Sequence, residues 1–353
     1  MFSPLLHPQK QAQPSQKLRQ TAYLFFYILF ITFIAVEILV RLRGYSPWQT
    51  SQSVREPTIH EPDPVLGWQN KPGEYVIPAY TVDASDIKMT FWPGGRRATQ
   101  AQKQNRIHQI LAVGCSFTQG WAISDSETFA WKLQQQFPPI EFLNYGTTGY
   151  GTYQSLLLLE NDFKRSNTAP LLVLYGFNGF HESRNVAEQY WLKALSRASH
   201  RGHVYLPYCL MGPDGALERH PPERYPMWPL KGTFATIPFL EDCYMRFKTR
   251  GRATQRRVVT EKLLLEMNQL CREKGSKLVI VLLTAGAQDK LHYIKFFQKE
   301  GICFVDCVHP NYDSPEMKVA GEGHPKGAMN TFWADCIEEA LRIEISRVDL
   351  HGK

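Results

Sequence analysis

The sequence lacks the residue spacings that are typical of metal sites. Its seven cysteines include no Cys-x-x-Cys pair, and no set of His, Cys and acidic residues has ligand spacing. We therefore expect neither a metal nor another cofactor. The odd number of cysteines, several of them in apolar segments, neither requires nor excludes an oxidising compartment.

The sequence also has no internal repeat and no nucleic-acid-binding motif. The formal net charge is only +7 over 353 residues. Basic residues cluster in the amino-terminal tail, where they are a topology signal, and over 246–257, where they predict a solvated helix face near anionic lipid or glycan. We expect one large α/β domain with extensions and no nucleic-acid partner.

An apolar run covers residues 23–40 and contains only Thr32 and Glu37 as polar interruptions. A helix of that length reaches about 27 Å, close to the roughly 30 Å of a hydrocarbon core. No small-x-small cleavage site follows, which favours a single-pass transmembrane anchor behind a disordered polar tail, residues 1–22. Basic residues are balanced around the run, but long carboxyl-terminal domains translocate regardless of modest charge. We therefore expect the remainder on the non-cytoplasmic (periplasmic or extracellular) face.

Beyond the anchor, the chain changes character twice. Pro and Gly punctuate residues 41–105, which predicts an extended linker or accessory segment. Residues 106–345 alternate between strand-like and helical patterns, interrupted by an insertion at 198–250 and followed by a tail at 346–353. The predicted strands cover 107–114, 141–145, 170–176, 277–285 and 302–306. The predicted helices cover 127–136, 153–166, 184–197, 255–273, 287–300 and 328–345.

This alternation predicts the fold class. Short apolar strands rich in β-branched residues are typical of a parallel sheet that is covered on both faces. We predict an α/β fold, a three-layer α/β/α sandwich with a five-stranded parallel sheet. Ligands bind at the carboxyl ends of the strands in such sheets, and polar residues or glycines follow four of these strands.

The first strand ends in "GCSFTQG", where two side chains compete as nucleophile. Alternation along the strand favours a buried Cys115 and an exposed Ser116 at the turn. Ser116 by itself is also a sound helix cap. A cysteine enzyme would need Cys115 exposed at the same edge, which the alternation disfavours.

The other strand ends carry residues that a serine nucleophile needs. "NYGTTGYGT" has three glycines, which allow a backbone N–H to approach a ligand closely. Asn178 directly follows the third strand, where an amide can face developing negative charge. His324 and Glu322 lie in "GEGHP" after the fifth strand, and a carboxylate beside a histidine can orient a general base. Each signal has an ordinary reading as a turn or cap, but the four together favour a catalytic site.

The order Ser, Gly, Asn, His resembles the SGNH (GDSL-like) hydrolase superfamily. The resemblance covers residues 106–345 and implies a flavodoxin-like sheet. It further implies Ser116 as nucleophile and His324 as base, with an oxyanion hole formed by Ser116, Gly149 and Asn178. The anchor and the "EPDPVLGW" segment are similar to those of membrane-anchored bacterial members.

Three departures from the family pattern concern acidic residues. Cys115 replaces the usual Asp before the serine, and Gly179 the Asp after the asparagine. The triad acid commonly lies three residues before the histidine, where this sequence has Gly321. Some members have the acid two residues before, and Glu322 fits that variant.

The resemblance implies a serine esterase or deacylase acting on acyl groups ester-linked to a carbohydrate or lipid. An O-acyltransferase on an envelope polysaccharide would use the same residues. A catalytically silent, membrane-tethered binding protein is the third reading, because the acid position is altered. The aromatic residues of the insertion predict either a sugar-stacking or acyl-binding surface or plain hydrophobic packing; they are Tyr205, Tyr208, Tyr225 and Trp228.

Overall fold

The computed structural model describes residues 16–49, 57–102, 108–166, 168–197 and 204–349. The chain divides into two compact units. One consists of Met1–Gln49 and Pro226–Met245, and the other of Thr50–Tyr225 and Arg246–Lys353. Most of the predicted polar tail, residues 1–15, lies outside the described residues.

Twelve strands and ten helices make up the described part of the chain. The strands are β1 (His60–Asp63), β2 (Gly67–Asn70), β3 (Gly73–Ile77), β4 (Ile87–Trp92), β5 (Arg96–Arg97), β6 (Gln109–Gly114), β7 (Glu141–Asn144), β8 (Leu172–Asn178), β9 (Leu206–Met211), β10 (Leu217–Glu223), β11 (Lys277–Thr284) and β12 (Cys303–Asp306). The helices are α1 (Gln16–Leu42), α2 (Ser116–Gln119), α3 (Phe129–Gln136), α4 (Thr152–Arg165), α5 (His181–Asn185), α6 (Gln189–Arg197), α7 (Thr236–Lys248), α8 (Arg252–Glu273), α9 (Ala287–Glu300) and α10 (Gly327–Asp349).

The larger unit is built on an eight-stranded sheet with the order β12-β11-β8-β6-β7-β5-β4-β3. The five strands from β12 to β7 are parallel, and numbered among themselves along the chain they have the order 5-4-3-1-2. This is the flavodoxin-like order, whose switch point lies between the first and third strands, here β6 and β8. The predicted fold class and its five-stranded parallel sheet are confirmed.

Helices cover both faces of the parallel strands because these strands are apolar on both sides. Ile110 and Ala112 of β6 belong to the core that contains Phe129 of α3 and Trp333 of α10. On the opposite face, Phe177 of β8 packs against aromatic rings of α9. All seven residues of β8 are buried, as expected for a central strand.

The segment 41–105, predicted as an extended linker or accessory segment, contains regular structure in its described residues. β1 and β2 form an antiparallel hairpin, and β3, β4 and β5 extend the main sheet with antiparallel strands beyond β7. Burial alternates along β4, with Ile87, Met89 and Phe91 inside. This alternation is a strand signal that the abundant turn residues conceal.

The boundaries of the predicted insertion and tail also differ from the structure. Within 198–250, residues 198–203 lie outside the described part, β9 and β10 form an antiparallel hairpin, and Pro226–Met245 belongs to the smaller unit. α10 continues to Asp349 and so includes half of the predicted tail, since no helix breaker precedes that point.

The smaller unit contains α1, which is long and apolar enough to cross a membrane by length and composition. It begins at Gln16, so residues 16–22 of the predicted tail form its first turns. Both polar interruptions of its apolar run have hydrogen-bond partners. The Thr32 hydroxyl donates to the Ile28 carbonyl (2.8 Å). The Glu37 carboxylate accepts from the Ala235 and Thr236 backbone N–H groups (2.9 Å each) at the start of α7.

A disulfide joins Cys307, just after β12, to Cys336 in α10. The 29-residue separation encloses the loop that carries Glu322 and His324. The other five cysteines are free thiols. The disulfide therefore restricts the one loop of the parallel-sheet unit that the sequence predicts to contribute a catalytic base.

We expect Cys336→Ser to lower the free energy of unfolding by about 2–4 kcal/mol, because the unfolded chain regains the freedom of this loop. Urea unfolding of the two proteins measures the difference. As a separate check, alkylation of the unreduced, denatured protein should modify five thiols and alkylation after reduction seven. Modification of seven thiols without reductant would contradict the disulfide.

Candidate active site

Ser116, the candidate nucleophile, begins α2 directly after β6, at the switch point between β6 and β8. The ends of these two strands approach α2 closely. Thr118 occupies the space that side chains at Gly114 and Gly176 would need. An added Cβ would lie 2.3 Å and 2.1 Å, respectively, from its Oγ1 atom. These two glycines are paired neighbours on the adjacent strands. α2 can therefore begin at Ser116, immediately beyond the sheet edge.

Ser116 and His324 are in hydrogen-bond contact. The distance from Ser116 Oγ to His324 Nε2 is 3.0 Å, although 208 residues separate them. The Cys115 side chain, in contrast, is fully buried and belongs to the core on one face of the sheet. The Ser116 side chain, which the alternation predicts to be exposed, is also buried, with 3% of its surface exposed. The alternation argument therefore agrees with the buried position of Cys115 but not with the position of Ser116.

Glu322 contacts the other ring nitrogen of His324. Its two carboxylate oxygens lie 2.7 Å and 2.9 Å from His324 Nδ1, and one also accepts from the His324 backbone N–H at 2.8 Å. Gly321 and Gly323 both have positive φ (79° and 94°), so the chain turns tightly around Glu322. This turn allows the Glu322 carboxylate to contact the His324 ring although only one residue separates them in sequence.

The carboxylate of Glu322 is held in its charged form. Burial alone would raise its pKa, but hydrogen bonds from His324 and Trp121 outweigh burial, and the pKa lies below its usual value. A carboxylate at Nδ1 favours the tautomer with the proton on that nitrogen. Nε2 is then free to accept the Ser116 hydroxyl proton.

The backbone N–H groups of Ser116 and Gly149 have no hydrogen-bond partner among the described residues. Thr148, which precedes Gly149, donates its hydroxyl to Gln119 of α2 and accepts from Trp68 Nε1 through its carbonyl (2.9 Å). These contacts place the Gly149 turn beside the helix that begins at Ser116.

Asn178 ends β8 and is fully buried. Its Nδ2 atom lies 3.3 Å from Cys115 Sγ, which takes one of the two amide hydrogens. The second hydrogen remains for another acceptor. The residues predicted from the sequence thus lie in four places. Ser116, Gly149 and Asn178 lie at or beyond the ends of β6, β7 and β8, and Glu322 and His324 lie in the loop after β12.

Sequence patterns did not identify Trp121, which donates from Nε1 to Glu322 Oε1 at 2.9 Å. The loop that carries Trp121 is held in turn by the fully buried Arg97 of β5. Arg97 donates to the Gly120 and Ile123 carbonyls and pairs with Asp125 at 2.6 Å. No local signal in the sequence connects these residues, because strand β5 precedes the loop by more than twenty positions.

Two further polar residues, His181 and Glu182, follow strand β8 at the start of α5. Both are buried: His181 contacts the Tyr175 hydroxyl through Nδ1 (2.8 Å), and Glu182 accepts from Tyr293 (2.8 Å). Burial lowers the pKa of His181 well below its usual value, and the nearby Arg184 charge adds to the shift. His181 is therefore neutral near pH 7.

The aromatic residues of the insertion are partly used in packing. Tyr225 is fully buried, and Tyr208 stacks on His220 with ring centroids 4.7 Å apart. Tyr205 keeps 38% of its surface exposed. In the smaller unit, Trp228 packs against Tyr244. A sugar-stacking or acyl-binding role for these rings stays a prediction.

No protein-family model matches the sequence, and no curated protein matches it significantly. Solved structures are similar to it. One is a lipolytic protein of the G-D-S-L family from Veillonella parvula (14% identity, 66% of this chain and 97% of that one, TM-score 0.38). A second is an esterase from Pseudoalteromonas (11%, 67% and 99%, TM-score 0.39). A third is an acetylxylan esterase from Geobacillus stearothermophilus (13%, 67% and 94%, TM-score 0.37).

The lowered pKa of Glu322 predicts a pH dependence of stability. A carboxyl group with a depressed pKa stabilises the folded state above its unfolded-state pKa, and the contribution is lost as pH falls through the folded-state value. We expect Glu322→Gln to cost about 1 kcal/mol of unfolding free energy near pH 7. The difference from wild type should shrink below about pH 5.

Urea unfolding between pH 7 and pH 3 measures this difference. Glu316→Gln, at an exposed position, is the matched control and should follow the wild-type profile. A Glu322→Gln deficit that stays constant across the whole pH range would contradict the assignment of a charged, hydrogen-bonded Glu322.

Proposed function

We propose that this chain is a serine esterase or deacylase that cleaves acyl groups ester-linked to a carbohydrate or a lipid. The single observation that carries the proposal is the continuous contact from Glu322 through His324 to Ser116 Oγ. A histidine held by a carboxylate on one nitrogen and by a serine hydroxyl on the other has the geometry of an activated serine nucleophile.

In the first half of the reaction, Ser116 Oγ attacks the ester carbonyl carbon while its proton moves to His324 Nε2. The negative charge that develops on the carbonyl oxygen is stabilised by the Ser116 and Gly149 N–H groups and by the Asn178 amide. The tetrahedral intermediate then collapses, and His324 gives the proton to the departing alcohol. An acyl group remains on Ser116.

In the second half, water attacks the acyl carbon and loses a proton to His324. The released acid carries the acyl group, and the proton returns from His324 to Ser116 Oγ. Glu322 stays ionised throughout and stabilises the imidazolium that forms in each half. The lowered pKa of Glu322 supports this role.

The geometry argues against two of the three alternative readings of the sequence, the cysteine enzyme and the catalytically silent protein. Cys115 is fully buried and its sulfur accepts a hydrogen bond from Asn178, whereas the side chain in contact with the His324 ring is that of Ser116. The reason to consider a catalytically silent protein was that the triad acid lies two residues before His324 rather than three. The Glu322 carboxylate nevertheless contacts His324 Nδ1, which argues for an intact triad.

We propose that α1 anchors the chain in a membrane, with the enzyme on the non-cytoplasmic side. The side chains of α1 from Tyr23 to Phe30 are more than half exposed, which suits contact with lipid. Disulfides persist mainly in oxidising compartments, so the bond between Cys307 and Cys336 supports this orientation.

Labelling with a fluorophosphonate probe tests the serine mechanism. We expect wild type and Cys115→Ala to be labelled and Ser116→Ala and His324→Ala to lose labelling, because only an activated serine is phosphonylated. Hydrolysis of a 4-nitrophenyl ester by Ser116→Ala should fall by at least about 10³-fold.

Thermal unfolding of each variant is the control for folding. Persistent labelling of folded Ser116→Ala, or loss of labelling in folded Cys115→Ala, would contradict Ser116 as the nucleophile. A folded wild type that neither reacts with small probes nor hydrolyses any ester would contradict an esterase function altogether.

Protease treatment of membrane vesicles tests the orientation. We expect the larger unit to be digested in right-side-out preparations and protected in inverted vesicles, because the proposal places it outside the cytoplasm. Detergent should abolish the protection. Digestion in intact inverted vesicles would contradict the orientation while leaving the esterase proposal untouched.

A further inference from the structure

An arginine near Ser116 lacks an acidic partner. Among the described residues, no carboxylate lies within 4.0 Å of the Arg184 guanidinium. Its Nη1 atom donates to the Tyr150 carbonyl at 2.8 Å. Arginines with little solvent contact are normally paired with an acid, so an enclosed guanidinium with spare donors indicates a missing anionic partner.

Arg184 is held rigidly by two aromatic rings. Its Cζ atom lies 4.3 Å from the centre of the Phe180 ring and 4.2 Å from that of Trp191. Cation–π contact with two rings restricts the orientation of the guanidinium and leaves its N–H groups for hydrogen bonding. A pre-oriented edge suits two-point binding of a carboxylate or phosphate.

Three contacts place this guanidinium at the candidate active site. The Phe180 ring packs on Phe117, which follows Ser116 and whose ring lies 5.8 Å from the His324 ring. The Trp191 ring lies 3.6 Å from where a side chain at Gly149 would begin.

Burial lowers the pKa of Arg184, and the neighbouring Cys115 side chain opposes that shift.

The groups around Arg184 leave its charge uncompensated. His181, in the same short helix, is neutral near pH 7 for the reason given above. Glu182 faces away, toward Arg257 and Tyr293. Arg184 itself is only partly exposed, so its charge is weakly screened by solvent.

We propose that Arg184 binds an anionic group of the substrate, a carboxylate or a phosphate, next to the ester that Ser116 attacks. The inference rests on the proposed esterase function and narrows the substrates to esters that also carry a carboxylate or a phosphate group. The anionic group belongs either to the acyl part of the ester or to its alcohol part. In either part, the anionic oxygens of the carboxylate or phosphate would accept hydrogen bonds from the Arg184 guanidinium.

The test compares matched pairs of neutral and anionic esters. For the acyl side, the pair is 4-nitrophenyl hexanoate and mono-4-nitrophenyl adipate. For the alcohol side, it is 1-octanoylglycerol and 1-octanoylglycerol 3-phosphate. The wild type should prefer the anionic member of one pair by roughly 10–100-fold in kcat/KM, the range of a charge-assisted, two-point contact. The preferred pair identifies the source of the charge.

Arg184→Met should reduce this ratio to about one, and Arg184→Lys should keep part of it, because lysine retains the charge without the planar fork. Arg342→Gln removes the same charge from an exposed pair with Glu338 and should leave the ratio unchanged. Using the ratio separates substrate preference from any general loss of activity. If Arg184→Met does not fold, inhibition of neutral-ester hydrolysis by adipate or inorganic phosphate, compared between wild type and Arg184→Lys, provides the second measurement.

The outcomes distinguish this inference from the esterase proposal. An active wild type with no anionic preference in either pair overturns the role of Arg184 and leaves the esterase proposal standing. An anionic preference that Arg184→Met retains also overturns it. A wild type that hydrolyses none of the four esters, despite correct folding, counts against both.

Discussion

The carboxylate of Glu322 connects the parts of the chain that form the candidate site. It accepts hydrogen bonds from both the ring and the backbone of His324 and from the indole of Trp121. His324 in turn reaches Ser116. A charged oxygen pair that is largely shielded from water must satisfy its hydrogen-bonding capacity within the protein. The loop after β12 and the loop after α2 are therefore fixed relative to each other by this one group.

The antiparallel extension of the sheet supports the same arrangement from the other side. Arg97 of β5 is fully buried, and its guanidinium holds the loop that presents Trp121. Its charge is paired with Asp125 in that loop. Strand β5, which precedes the parallel sheet in sequence, is thus a structural part of the site.

Charged groups near Ser116 differ in how far they are neutralised. Glu322 has its partner in His324, and burial makes His181 neutral. Arg184 retains a positive charge between two aromatic rings without a carboxylate in the described residues. In surroundings with little water, this imbalance favours an incoming anion and opposes a cation.

The sequence by itself determined the parallel sheet and the candidate residues, because both depend on local patterns. Apolar strands alternating with helices require a covered parallel sheet, and the strand ends bring Ser116, Asn178 and His324 to one edge. Only the tertiary structure decided whether Glu322 reaches His324, since this depends on the backbone turn at Gly321 and Gly323. The same holds for the strands within 41–105, the disulfide, and the positions of Trp121 and Arg184. Each of these depends on contacts between residues far apart in sequence, which no local periodicity or composition encodes.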